Sequence, residues 1–102
     1  MRYDWTKYED KIKELKEIFQ KKTEGAEVEV DVLTPNDPEF DKNMALPYVR
    51  VRYYQDSEHF HELKIELLEH YMQKPTEEVV KLIEHFIQEF EAEIDWSEYG
   101  GG

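Results

Sequence analysis

The stretch YVRVRYY, residues 48–54, constrains the fold of this chain more than any other. Apolar residues at positions 49, 51 and 53 alternate with Arg50 and Arg52. An extended backbone therefore places apolar groups on one face and guanidinium groups on the other, which predicts a half-buried strand. Because the chain has 25 acidic and 13 basic residues, we expect this strand to lie between acidic neighbours.

An earlier segment has the same two-residue period, in the order Glu27, Val28, Glu29, Val30, Asp31, Val32. It is predicted to be a first strand that buries its β-branched residues. Pairing with residues 48–54 would put its carboxylates on the sheet face that carries Arg50 and Arg52. Opposite charges across neighbouring strands contribute about 0.2–1 kcal/mol per pair, so the two segments complement each other.

A helix is predicted at the N-terminal end, over residues 5–19. Its apolar residues recur at steps of three and four, which forms one stripe, and they are Trp5, Tyr8, Ile12, Leu15, Ile18 and Phe19. Thr6 and Glu9 have the spacing of a capping box, and Gly25 can supply the left-handed residue beyond the helix end.

A second helix is predicted to begin near Thr76. Pro75 precedes it, and Glu77 and Glu78 suit the positive end of the helix dipole. It has a wide apolar stripe, formed by Val79, Val80, Ile83, Phe86, Ile87, Phe90 and Ile94. Such a stripe is typical of a helix that covers a sheet, so we expect this to be the main core helix.

The segment 60–72 satisfies two periods at once. Phe60, Leu63, Leu67, Leu68, Tyr71 and Met72 have helical spacing, whereas Leu63, Ile65 and Leu67 also alternate with charged residues. The likeness of residues 65–73 to residues 80–88 favours a helix. The alternatives are a third strand beside Arg50 and Arg52, or a short strand over 60–64 that passes into a helix.

These elements predict an α+β fold with an N-terminal helix, a small antiparallel sheet of two or three strands, and two C-terminal helices packed on one sheet face. Residues 1–99 are expected to form a single domain, followed by a disordered glycine tail at 100–102. No apolar run approaches the roughly 20 residues of a membrane span, and the first residues lack the apolar core of a signal peptide. We therefore expect a cytoplasmic protein.

The connection over residues 34–47 has 14 residues and three prolines, and loops of this length are often functional. Its apolar residues either fold back on the core or form a contact surface, and they are Phe40, Met44 and Leu46. Asp37, Glu39 and Asp41 alternate like the first ligands of a calcium loop. Lys42 and Tyr48 stand where such a loop needs glycine and glutamate, so we interpret the segment as a polar loop.

No motif in the sequence predicts catalysis, a metal or a cofactor. The histidines His59, His61, His70 and His85 lack the spacing of a known zinc site. There is no phosphate-binding glycine loop, no cysteine, and neither Ser57 nor Ser97 lies in a nucleophile elbow. We therefore expect a protein that is not an enzyme.

The net charge of −12 repels nucleic acids and anionic membranes and attracts a basic partner protein, such as a nuclease or another nucleic-acid-binding complex. From Glu77 to Glu98 there are eight acidic residues and a single base, Lys81. The candidate partner-binding residues are Glu77, Glu78, Glu84, Glu89, Glu91, Glu93, Asp37, Glu39 and Asp41. This pattern predicts an acidic inhibitor or immunity-type protein, comparable in charge and size to anti-CRISPR and anti-restriction proteins.

Other interpretations account for the same composition. The charge can serve solubility alone. A protein–protein module, as a homodimer or an adaptor, would use an apolar interface formed by aromatic residues such as Trp5, Phe40, Trp96 and Tyr99. An engineered domain without a ligand is a third interpretation, although the irregular proline-bearing loop argues against an idealised design.

Overall fold

The computed structural model describes residues 4–25 and 27–100, and for residues 95–100 it describes the backbone alone. A 3-10 turn at Trp5–Tyr8 is followed by α1 (Glu9–Lys22), β1 (Val28–Leu33), β2 (Tyr48–Tyr54), β3 (Phe60–Glu66), α2 (Glu69–Met72) and α3 (Thr76–Gly100). The predicted α+β architecture is confirmed, with three strands. Gly101 and Gly102 of the predicted tail lie outside the described residues.

The sheet has the order β1-β2-β3, and both pairs of neighbours are antiparallel. In its register Arg50 lies between Asp31 of β1 and Lys64 of β3. Arg52 lies between Glu29 of β1 and Glu62 of β3. The prediction that the first strand places its carboxylates beside the two arginines is therefore confirmed.

The helix predicted over residues 60–72 is wrong for most of its length, because this part of the chain forms β3 and only α2 is helical. The structure adopts the alternatives with a strand: β3 extends two residues beyond the short strand predicted over 60–64, and the chain then passes into α2. β2 needs hydrogen-bond partners on both of its edges, and β3 provides them on the second edge. Leu63 and Ile65 then lie opposite Val51 and Val49. Residues 65–73 resemble residues 80–88 because both segments have the same spacing of apolar residues, and this spacing alone does not make a helix.

The helices cover one face of the sheet and form the core with it. The buried side chains include Ile12, Leu15, Phe19, Val30, Val32, Val49, Val51, Ile65, Val79, Ile83 and Ile87. Burying a Val, Leu, Ile or Phe side chain contributes about 1.5–3 kcal/mol, so this layer is the main source of stability. The predicted apolar stripes of both helices are confirmed by this packing.

The start of the first helix differs from the predicted capping box. Asp4 accepts hydrogen bonds from the backbone N–H and the hydroxyl of Thr6, so the side-chain cap belongs to Asp4 and the chain opens with a 3-10 turn. Tyr8, the residue before α1, makes no side-chain cap. Gly25 has a φ of 77°, as predicted for the left-handed residue beyond the helix.

The opposite face, which we call the open face, carries the charged side chains of the three strands. The 34–47 loop crosses it at the start of β2, where the rings of Phe40 and Tyr48 are 5.2 Å apart. The backbone N–H of Asp41 donates to the hydroxyl of Tyr48, and Tyr48 is only 1% exposed. The loop thus covers the end of the open face nearest Tyr48, and Phe40 folds back onto the sheet.

Candidate functional site

Arg50 is the centre of an ion-pair cluster on the open face. Its guanidinium Nη2 lies 3.0 Å from a carboxylate oxygen of Asp31, 3.7 Å from Glu39 and 3.9 Å from Glu29. The residue is only 6% exposed, and its buried Nε donates no hydrogen bond to the described residues. Three partly exposed carboxylates therefore share one buried cation, which makes the cluster a structural centre of the sheet.

The pKa of Glu29 reflects its partial burial and its closeness to another carboxylate. Partial burial raises the pKa of this carboxyl, and a hydrogen bond and the charge of Asp31 raise it further. The guanidinium groups of Arg50 and Arg52 act in the opposite direction but do not cancel the effect. Glu29 therefore ionises less readily than an isolated glutamate, even though it lies beside a buried arginine.

Asp37, one of the predicted partner-binding residues, uses its carboxylate for contacts inside the protein. Its carboxylate accepts hydrogen bonds of 2.7 Å from the backbone N–H and 3.1 Å from the hydroxyl of Thr34. Lys16 of α1 lies 3.4 Å from the same carboxylate. Partial burial raises the pKa of Asp37, but these hydrogen bonds and the lysine charge outweigh it and the pKa is lowered. Its contacts stabilise the start of the loop.

Asp41 is likewise engaged inside the protein. Its carboxylate lies 2.6 Å from the ammonium nitrogen of Lys64 on β3 and accepts a 2.9 Å hydrogen bond from the N–H of Asn43. Both contacts lower the pKa of Asp41, and the hydrogen bond from Lys64 has the larger effect. Glu39 differs from these two residues, since its side chain is 67% exposed despite its proximity to Arg50.

The six carboxylates predicted on the last helix fall into two rows. Helical periodicity places Glu77, Glu84 and Glu91, seven residues apart, on one flank of α3, which we call the inner row. Glu84 lies 3.5 Å from Lys22 of α1, so this flank is directed towards the first helix. Glu84 and Glu91 are half-buried there, while Glu77 is exposed.

The outer row consists of Glu78, Glu89 and Glu93 on the other flank of α3. All three side chains are exposed. Glu89 lies 3.0 Å from His85, one turn earlier on the same helix. Within residues 4–25 and 27–94, none of the three forms an ion pair with a lysine or an arginine. The outer row and Glu77 are thus the predicted carboxylates of α3 that are most available to another molecule.

A cluster of aromatic and charged side chains, which was not predicted from the sequence, lies at the end of the open face that the 34–47 loop does not cover. The guanidinium of Arg52 lies 4.6 Å from the ring centroid of Phe60, and the ring of Tyr54 lies 5.4 Å from it. Glu62 lies 2.8 Å from Nε of Arg52. The alternation of residues 60–66 was the available signal, because as a strand it places Phe60 and Glu62 on the face of Arg52.

The histidines are distributed over the surface. His59 lies 3.0 Å from Asp56 in the turn between β2 and β3, and the rings of His70 and Tyr71 make an edge-to-face contact. In the described part of the chain, no three His, Asp or Glu side chains are arranged to hold a metal ion. Across the same residues, no helix has the length and apolar character needed to cross a membrane.

Comparisons with known proteins do not identify a family for this chain. No family model matches the sequence, and no curated protein matches it. No solved structure matches it either. Any assignment of function therefore depends on the charges, burial and contacts of the chain itself.

Proposed function

We propose that this chain is a small acidic binding protein that occupies a basic site on a partner protein, such as the nucleic-acid groove of a nuclease. In this role it acts as an inhibitor of the anti-CRISPR or anti-restriction type. The observation that carries the proposal is the outer row, Glu78, Glu89 and Glu93, which is exposed and has no lysine or arginine partner among the described residues.

The negative charge of α3 is less compensated by nearby cations than that of the open face. The carboxylates of the open face are close to Arg50, Arg52 and Lys64, so their field is partly neutralised. On α3, Lys81 is the one basic residue, counting histidine as neutral, between Glu77 and Glu98. A rigid helix with uncompensated carboxylates attracts a basic surface at long range and speeds the encounter at low salt.

The spacing of the outer row is compatible with a groove that normally holds a nucleic-acid strand. With a rise of about 1.5 Å per residue, Glu89 and Glu93 are separated by about 6 Å along the axis of α3, and Glu78 lies about 17 Å before Glu89. This separation spans several phosphates of a strand. The inner row, in which Glu77 is exposed and Glu84 and Glu91 are half-buried, adds negative charge on the neighbouring flank.

The test starts with the immobilised protein and a panel of basic nucleases, retained at low salt and eluted at high salt. For a retained nuclease, displacement of a labelled DNA duplex gives the affinity of the protein for the groove. The triple variant Glu78→Gln, Glu89→Gln, Glu93→Gln is expected to bind about tenfold to 150-fold more weakly, since each lost charge pair contributes about 0.5–1 kcal/mol. The salt dependence of binding should decrease with it.

The matched control is the triple variant Glu9→Gln, Glu14→Gln, Glu17→Gln, which removes the same number of exposed carboxylates from α1. If net charge alone attracted the partner, both variants would lose the same affinity. A loss confined to the α3 variant supports the proposal. An outer-row variant that binds every nuclease with unchanged affinity and salt dependence would refute it.

A second candidate function is an apolar interface between two copies of the chain. It is favoured by a cleft in which Trp5 and Phe40 come together with Met44 and Leu46. Phe40 is partly used inside the protein through its contact with Tyr48, which reduces the apolar area that this cleft can offer. A dimer that light scattering still detects at high salt would favour this candidate over the acidic one.

A further inference from the structure

The 34–47 loop covers only one end of the open face, and the other end is accessible. We call this accessible end the uncovered patch, and it consists of Glu29, Arg52, Tyr54, Phe60 and Glu62. The Glu29 side chain is 48% exposed, and Phe60 is 44% exposed. Among residues 4–25 and 27–94, Phe60 is the one large apolar side chain that is exposed. Its exposure is not explained by the packing of the fold.

The ring of Phe60 already contacts a guanidinium. Arg52 lies over it at 4.6 Å, and Tyr54 packs beside it at 5.4 Å. The electron-rich face of an aromatic ring attracts cations, and arginine stacks on such rings more readily than lysine does. An exposed Phe60 ring beside Tyr54 can therefore accept a second guanidinium from another molecule.

Carboxylates flank Arg52 on both neighbouring strands, with Glu29 on β1 and Glu62 on β3. Glu62 pairs with Arg52 at 2.8 Å. Glu29 shares the guanidinium of Arg50 with Asp31 and Glu39, so carboxylates outnumber cations beside the uncovered patch. The adjoining turn adds Asp56 and Glu58, both exposed. The chemistry of the uncovered patch, with aromatic faces and surplus carboxylates, is complementary to arginine.

Charge also decides which kind of molecule fits the uncovered patch. A second copy of the chain carries a net charge of −12 and would bring the same carboxylates against these ones. Nucleic acids and anionic lipids are repelled for the same reason. An arginine-bearing segment of a basic protein is attracted by the carboxylates and can stack on the rings.

We propose that the uncovered patch binds an arginine-bearing segment of a partner protein, with a partner guanidinium stacked on Phe60 and paired with the neighbouring carboxylates. This surface is separate from the outer row, because α3 packs against the opposite face of the sheet. The inference is therefore independent of the α3 proposal, although one partner can bear both basic surfaces.

The experiment titrates the isotope-labelled 102-residue chain with nona-arginine, and in parallel with nona-lysine, while NMR follows each backbone amide. The arginine peptide is expected to shift the amides of residues 29, 52–54 and 58–62, and to bind this region more tightly than the lysine peptide. Phe60→Leu keeps an apolar side chain but removes the ring, so affinity at the uncovered patch should fall about threefold. Phe60→Trp should restore or raise it.

The outcomes separate this proposal from the previous one. Shifts confined to α3, or a Phe60→Leu variant that binds nona-arginine as the unmodified protein does, would overturn the uncovered patch and leave the outer row standing. Shifts at the uncovered patch that Phe60→Leu weakens and Phe60→Trp strengthens would support it, whatever happens at α3. Urea unfolding of both variants checks that the exposed site tolerates the substitutions.

Discussion

The open face of the sheet and the flanks of α3 are both rich in carboxylates, yet these carboxylates have different roles. On the open face, Asp31 and Glu62 lie within 3.0 Å of arginine nitrogens, and Asp41 reaches across to Lys64. On α3, the outer row makes no comparable contact with a lysine or arginine of the described chain. Carboxylates thus stabilise the fold on the open face, whereas those of the outer row remain available to a partner.

The difference lies in the supply of basic residues. β2 and β3 bring Arg50, Arg52 and Lys64 onto one sheet face, so carboxylates near them gain favourable interactions inside the protein. The long helix has only Lys81 among its acidic residues. A count of acidic residues therefore does not distinguish a structural carboxylate from an available one, whereas the distance to the nearest cation does.

The largest expected effect comes from removing the buried cation. Arg50→Ala leaves Asp31, Glu29 and Glu39 close together without the guanidinium they share, and it removes the buried stem of the side chain. We expect a loss of about 2–3 kcal/mol in the free energy of unfolding, below the 3–5 kcal/mol typical of pairs in which both partners are buried. Urea unfolding at neutral pH measures this loss.

Arg52→Ala is the matched control, since it removes the same side chain two residues later on the same face. Arg52 and its partner Glu62 are about a quarter exposed, at 26% and 29%, so solvent screens their interaction. We expect a loss of no more than about 1 kcal/mol. Equal losses for the two variants would contradict the view that burial makes Arg50 the structural centre of the sheet.

The next effect concerns the loop and depends on pH. Asp37→Ala removes two hydrogen bonds from Thr34 and the contact with Lys16, which should lower stability by about 1 kcal/mol at neutral pH. The pKa of Asp37 in the folded protein lies below its ordinary value of 3.8. Its contribution is therefore present above pH 3.8 and is lost as the pH falls through the lower folded pKa.

Urea unfolding of the unmodified protein and of Asp37→Ala, over the acid range, checks this dependence. The difference in stability between the two proteins should be largest near neutral pH and should shrink once the pH is well below 3.8. A difference that stays constant into strong acid would mean that the ionised form of Asp37 does not stabilise the loop. The loop would then be held by its other contacts, such as that between Asp41 and Lys64.

The smallest effect on stability is expected for the outer row of α3, which contributes little to the fold. The outer-row variant with glutamine at Glu78, Glu89 and Glu93 removes no contact with a lysine or arginine, and it lowers the self-repulsion of a strongly acidic chain. Glu78 also faces the helix dipole, which offsets part of the gain by a few tenths of a kcal/mol. We expect thermal and urea unfolding to stay within about 0.5 kcal/mol. A marked loss would show that the outer row is structural.

Much of the fold could be predicted from local patterns. The alternation around Arg50 and Arg52, and the earlier alternation of valines with acids, predicted two strands and the shared face of their charges, as the register confirms. The apolar stripes predicted both long helices. Each of these patterns obeys a single period, so the local preference and the global fold agree.

The segment that became β3 obeys two periods, and its own residues did not decide between them. Its strand conformation is stabilised by contacts with distant residues, since Leu63 and Ile65 lie opposite Val51 and Val49 and share the buried face with them. The prediction of a helix over residues 60–72 also left the surface around Phe60 unpredicted. Only as a strand does the segment bring Phe60 beside Arg52 and Tyr54.

The amino-acid sequence by itself determined the period of each element and the sign and quantity of charge along the chain. Tertiary structure decided which carboxylates are neutralised, because pairing depends on distances between segments that lie far apart in sequence. It brought Lys64 to Asp41, Lys16 to Asp37 and three carboxylates to Arg50. Periodicity describes a residue's neighbours along one element, whereas electrostatic energy depends on neighbours in space.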